Sequence, residues 1–216
     1  MFARIFWGVV NRDIRVGLPG YDRDTVQTAG KVKGLVLLNA RTFCVERFGK
    51  QGWERVRDAL SPHDRDVMDS AVHVGWYEVG VYDHVHDAMV AELGGGDFAV
   101  MIDSGHFSAD RDLTTVHRLF ARMATVEFLL TKYGEFWKRY QDTGRWQIER
   151  EGPHVVRAKL TGWASRSGAT CIRLGGYIER FLQIVGAQGA KVTRLKCAVR
   201  GDRHCELLCE WESGLG

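Results

Sequence analysis

The chain lacks a charge imbalance: 30 Lys and Arg stand against 27 Asp and Glu, a net charge of +3 over 216 residues. That is too little to select nucleic acid as a partner, and acidic and basic residues alternate, as in Glu149-Arg150-Glu151, in the manner of a solvated surface. It lacks a long hydrophobic run. The opening Met1–Val10 is apolar but breaks at Asn11-Arg12-Asp13, too short to span a bilayer and without a small-residue cleavage signature. We read it as a flexible or partner-docking extension. Phe2, Phe6 and Trp7 suit a membrane interface, but Arg4 is the one basic residue there, so membrane contact is not expected. Cysteines are few and odd in number, five with no secretory leader, which points to a reducing cytoplasm rather than a disulfide framework. HExxH, GxSxG and Rossmann fingerprints are missing. Gly94-Gly95-Gly96 lacks the GxxxxGK[ST] frame of a phosphate loop and reads as a helix exit. In Asp83-His84-Val85-His86-Asp87 the histidines sit at i and i+2, on different helical faces, and are assigned to a solvated face rather than a catalytic pair.

What is present is ordinary globular composition, 45% hydrophobic and 26% charged, enough to close one core. Residues 11–31 carry Gly17, Pro19, Gly20 and Gly30 and punctuate rather than pack, so the expected organisation is an extension over 1–30 and a single domain over 31–213. Val32–Leu38 is either a strand or the lead-in to a helix, with Asn39 capping a helix over Ala40–Phe48 that Gly49 ends. Trp53, Val56 and Leu60 recur at helical spacing up to Ser61-Pro62, and a further helix is predicted over Asp64–Ser70. Val81, Val85, Met89 and Leu93 form an apolar helical stripe, with Asp83 and Asp87 off it. Asp97–Tyr140 reads as two or three more helices. The period then changes. Trp146–Arg150 and His154–Ala164 are strands joined at Glu151-Gly152-Pro153, Cys171–Val185 is helical, and Lys191–Val199 pairs with His204–Trp211 about Arg200-Gly201-Asp202. The predicted fold class is α+β: N-terminal helices, then a four-stranded, mainly antiparallel sheet with helices on one face.

In a regular strand Leu195, Cys197 and Val199 share one face, and Cys205, Leu207, Cys209 and Trp211 share one on the partner. A three-residue connection sets Cys197 opposite Cys205, their Cβ atoms roughly 4.5 to 5.5 Å apart, a separation open to a shared metal or to a disulfide. Cys171, opening the preceding helix, supplies a third sulfur. The plain alternative is three small apolar residues facing the helices, and a structural zinc calls for four ligands in tighter spacing.

The segment Cys171-Ile-Arg-Leu-Gly-Gly-Tyr177, with Lys196-Cys197-Ala-Val-Arg-Gly201-Asp202-Arg-His-Cys205-Glu206, resembles the C-terminal core of 4-vinyl reductase domains and of the sensor domains of aromatic-responsive bacterial activators. Such domains share the fold of TRAPP small subunits. Lys31-Val-Lys-Gly-Leu35, Glu46-Arg-Phe-Gly49, Gly105-His-Phe-Ser-Ala-Asp110 and Trp137–Gly144 are similar to an uncharacterised family of myxobacterial proteins with the same C-terminal pattern. The resemblance implies an apolar pocket between helices and sheet for an aromatic or acyl ligand. It also implies zinc on the cysteines matching Cys171, Cys197 and Cys205 together with a glutamate. Arg194 stands at that fourth position, which removes an anionic ligand and adds a cation.

The N-terminal half is also loosely similar to haem nitric-oxide-binding domains. Those carry a Tyr-x-Ser-x-Arg clamp for the haem propionates, which no tyrosine here begins. Haem is therefore not expected, and His106 and His117 are assigned to surface or packing. The expected function is a non-enzymatic ligand-binding (sensory) or adaptor module that acts through a protein partner and as a homodimer. The alternative is a reductase or zinc-dependent enzyme using Cys171, Cys197 and Cys205.

Overall fold

The computed structural model describes residues 30–113 and 126–214. The elements are β1 (Lys31–Lys33), α1 (Gly34–Asp58), α2 (Pro62–Ser70), β2 (Trp76–Glu78), α3 (Val79–Glu92), α4 (Ala99–Asp112), α5 (Val126–Trp137), β3 (Arg145–Gly152), β4 (Val155–Thr161), α6 (Gly168–Val185), β5 (Lys191–Lys196) and β6 (Cys205–Glu210). The N-terminal extension and His117 lie outside the described residues.

Helix α1 starts earlier and runs longer than its sequence pattern predicts. Its first N–H groups need acceptors, and the loop before β2 supplies them: Gly34 donates to the Gly75 carbonyl at 2.9 Å and Leu35 to that of His73 at 3.0 Å. Asn39 is therefore no cap. It lies inside the helix, buried, and its amide donates to Asp112 at 2.9 Å. Gly49 does not end the helix either; at φ +73° and ψ 177° it kinks it, a conformation that glycine alone adopts cheaply. Ser61 turns the chain into α2, its hydroxyl accepting the Asp64 N–H at 3.1 Å with Pro62 in the first turn.

The apolar stripe of α3 packs as predicted, with Val81, Val85 and Met89 buried. Its other face is solvated only in part: Asp87 and Glu92 are exposed and His84 half-buried. Asp83 and His86 are 2% and 0% exposed, because α6 packs over them. The helical core gathers Leu37, Phe43, Val56, Met68, Val85 and Met101, and Ala169 of α6 joins it.

The α4–α6 crossing is close and depends on glycine. A Cβ on Gly105 would stand 2.4 Å from the Arg173 carbonyl oxygen, and one on Gly176 would stand 2.7 Å from that of Ile102. Two helices touching backbone to backbone make α6 the link between the helical half and the sheet.

The sheet has order β3-β4-β6-β5, all antiparallel. Val156, Ala158, Leu207 and Cys209 face α6 and pack on Ile178 and Val185. The α+β class and the helix-covered sheet thus agree with the sequence. The last connection does not: β5 stops at Lys196, an irregularity between Arg194 and Lys196 shifts its register on β6, and a 3-10 turn over Ala198–Arg200 replaces the predicted strand end. Among the described residues no helix is long and apolar enough to cross a membrane.

Candidate functional site

The lost strand end does not separate the cysteines. Cys171 on the first turn of α6, Cys197 before the 3-10 turn and Cys205 at the start of β6 are all buried and unbonded, with their Sγ atoms within 4.8 Å of one another. The turn that carries Cys197 is tied back on itself. Cys197 N–H donates to Asp202 Oδ2 at 2.8 Å, Arg200 N–H donates to the Cys197 carbonyl at 2.9 Å, and Ala198 N–H points at Cys205 Sγ at 3.4 Å. Hydrogen bonding from Cys171, then from Cys205, holds Cys197 far below the usual thiol range, and the contact with Cys197 pushes Cys171 up. Cys197 is thus the first of the three to ionise, with Arg194 adding to the pull.

Below this cluster, between α5, α6 and the inner sheet face, lies a small apolar pocket of about 60 Å³, partly open to solvent. That is below the range of small-molecule sites, so an occupant of such a size must push the walls apart. Tyr133, Trp146, Ile178, Phe181, Cys209 and Trp211 are among its walls. Tyr133 meets Trp146 edge to face at 5.4 Å, which fixes both rings. Burial pushes Cys209 up to about 12, so its thiol stays protonated. Cys209 is accordingly a wall of the pocket, not a member of the thiol cluster.

A third feature escaped the sequence reading, a buried polar seam where α3, α4 and α6 meet. Asp83 accepts from Ser165 Oγ at 2.7 Å, Arg166 N–H at 2.6 Å and Thr170 Oγ1 at 2.8 Å, yet burial outweighs these donors and raises it to about 6. Since the Thr170 hydroxyl gives its one proton to Asp83, it must accept from His86, 2.9 Å away. His86 therefore carries its proton on Nδ1. Burial holds it neutral, and Nε2 is left as an unpartnered lone pair. Arg173, 5% exposed, donates to Tyr82 Oη at 2.7 Å and Ser108 Oγ at 2.5 Å. The signal was present in Asp83 and Asp87, two acids at i and i+4 beside the apolar stripe of the helix. Ser167 takes up the second of them at 2.6 Å.

No protein-family model matches the chain, and no curated protein does. Solved structures do. An unliganded Fe(II) H-NOX variant from K. algicida aligns with a TM-score of 0.63 at 10% identity, over 85% of this chain and 98% of its own. An H-NOX protein from S. oneidensis in the Fe(II)NO state aligns at 0.60 with 16% identity, over 84% and 99%. The fold is that of the H-NOX domains. The H-NOX domain from Shewanella oneidensis in the Fe(II)CO state agrees, at 0.63 and 15% identity over 84% and 99%.

The H-NOX fold overturns two expectations. The 4-vinyl-reductase and TRAPP label was drawn from a short C-terminal match, and the architecture of the whole chain supersedes it. Discounting haem for want of a tyrosine-led clamp does not stand either, because the structures that share this fold are described in iron-ligated states. Among the described residues the one donor of a suitable type does not line the pocket, so pocket and donor do not together fit such a group. His86 offers a neutral imidazole nitrogen whose other nitrogen is backed through Thr170 by a carboxylate. In the pocket, burial pushes both the Cys209 thiol and the Tyr133 hydroxyl up, so neither offers the thiolate or phenolate that ligates haem iron. His106 is engaged elsewhere, 3.3 Å from Glu179 Oε1.

Proposed function

We propose that this chain is a non-enzymatic sensory module on the H-NOX fold that lodges an apolar molecule between α5, α6 and the sheet. The pocket walled by Tyr133, Trp146, Phe181 and Trp211 carries this reading. Its walls are aromatic rings and aliphatic side chains, so an occupant is held by apolar burial.

Haem is the first occupant to test, because the similar structures carry it. When bound it supplies an iron that takes a diatomic gas. The chain's own part is to exclude water from the pocket. An aromatic or acyl molecule is the second occupant. Passing an occupancy signal on requires a partner protein, a second copy of this chain included, and α6 is the element through which it would travel, since it touches the pocket, the thiols and α4.

Titration of the purified chain with hemin and, separately, with a polyene fatty acid tests the reading by tryptophan quenching and by the Soret band. Saturable binding of either, weakened at least about tenfold in Ala158→Phe, supports it. A folded chain that saturates with neither disposes of it.

A further inference from the structure

We infer that β3 is a dimerisation edge: two copies of this chain join β3 to β3 antiparallel about a two-fold axis at Gln147, so that two four-stranded sheets become one continuous sheet. The inference does not rest on what fills the apolar pocket. The order β3-β4-β6-β5 leaves the sheet two edges among the described residues, and an unpaired edge is a template for another strand. The β5 edge is closed to this use. Val192 N–H already donates to Glu179 Oε2 at 3.2 Å, the register shifts between Arg194 and Lys196, and Lys191, Arg194 and Lys196 would set like charges together. The β3 edge is regular from Arg145 to Arg150 and carries both signs of charge.

The hydrogen-bond phase of the sheet shows which groups of β3 are on offer. Trp211 N–H donates to the carbonyl of His154 opposite it at 3.1 Å, so Val156, Ala158 and Leu160 of β4 bond to β6, and the residues that alternate with them bond to β3. Arg145, Gln147 and Glu149 are therefore engaged with Thr161, Lys159 and Arg157, and the N–H and carbonyl groups of Trp146 and Ile148 point away from the sheet. A second β3 centred on Gln147 sets Trp146 of one protomer against Ile148 of the other as a hydrogen-bonded pair. It also sets Arg145 against Glu149 as a closer, non-hydrogen-bonded pair, and the two-fold repeats both. Charge selects this register. Arg145, Gln147 and Glu149 are exposed on the outer sheet face. Centring on Ile148 would set Arg145 against Glu151, which Arg157 already holds, and centring on Glu149 would set glutamate on glutamate. On the inner face Trp146 and Ile148 are half-buried walls of the pocket, and the pairing covers them. Helix α5 lies over β3, where Tyr133 and Trp137 meet Trp146 edge to face at 5.4 and 5.6 Å. The axis thus brings a second α5 toward the first, and that helix carries Phe128 and Phe136, 51% and 46% exposed.

Sedimentation velocity of the full chain at rising concentration tests the association, and the wild-type chain should sediment as a dimer. Arg145→Glu and Glu149→Arg should each weaken the dimer by more than about tenfold, and the double variant, which exchanges the two charges, should restore it. Both side chains are exposed, so neither change disturbs a core. Gln147→Cys reads the register. On the axis it should link the two copies under a mild oxidant, whereas Glu149→Cys, two residues off the axis, should stay unlinked; the five native thiols are buried. A wild-type chain that stays monomeric overturns the inference. So does a dimer indifferent to both single reversals, a double variant no tighter than the single ones, or linkage through position 149 rather than 147.

Discussion

Replacing Gly105 by alanine adds one methyl group where α4 crosses α6. The new Cβ would stand 2.4 Å from the Arg173 carbonyl oxygen and 2.6 Å from the Tyr177 nitrogen, at least 0.8 Å short of the 3.4 Å of an ordinary contact. Both obstacles are backbone, so no side chain can swing away and the helices must part by about 1 Å. Parting them strains the bonds from the buried Arg173 guanidinium to Tyr82 at 2.7 Å and Ser108 at 2.5 Å. Overpacking costs about 1–3 kcal/mol, and loosening a buried charged donor costs about 1–3 kcal/mol more. Alanine returns about 1 kcal/mol in helix propensity. Gly105→Ala should therefore lose about 1 to 5 kcal/mol, read as a lower urea midpoint at unchanged slope and a Tm lower by roughly 2 to 20 °C. Gly175 is the control: a Cβ there meets nothing within 4 Å, so Gly175→Ala should hold or gain up to about 1 kcal/mol. If the two variants unfold alike, the close helix crossing is not what holds the halves together.

Other outcomes follow from single contacts. Asp83 holds its proton more tightly in the folded state, at about 6 against 3.8, so its contribution to stability is fully present below about pH 4 and is lost as pH rises through 6. The change is about 3 kcal/mol, and Asp83→Asn should flatten that limb of the stability curve in urea titrations at stepped pH; an unaltered curve refutes the assignment. Ser61→Ala removes the acceptor for the Asp64 N–H and should cost about 1 kcal/mol in urea unfolding, with Ser61→Asp restoring most of it. Gly49→Ala forces a side chain into φ +73° and should cost about 1–3 kcal/mol; a neutral result would show the kink relaxing into a straight helix.

The cysteine cluster was legible in part. Counting strand parity brought Cys197 and Cys205 together for a reason the molecule does not use, since the shifted register and the 3-10 turn take Cys197 out of the strand. The sulfurs still meet, because the turn folds back through Asp202 and the start of α6 lies over it. The buried seam was misread. Spacing shows that Asp83 and His86 leave the α3 stripe, but whether the opposite face meets water or a second helix depends on α6, about 80 residues away along the chain.

Local pattern determined what each segment becomes. Hydrophobic period marks the α3 stripe and the strands, and Ser61-Pro62 marks a helix start, because these signals act within one or two turns of chain. Which surfaces touch was decided only in three dimensions. Gly105 and Gly176 are ordinary letters until α4 and α6 cross on them, and the pocket exists only where α5, α6 and three strands leave space between their side chains. A sequence records the neighbours of a residue along the chain, whereas the cost of burying its charge or adding a methyl group depends on the atoms that arrive from elsewhere.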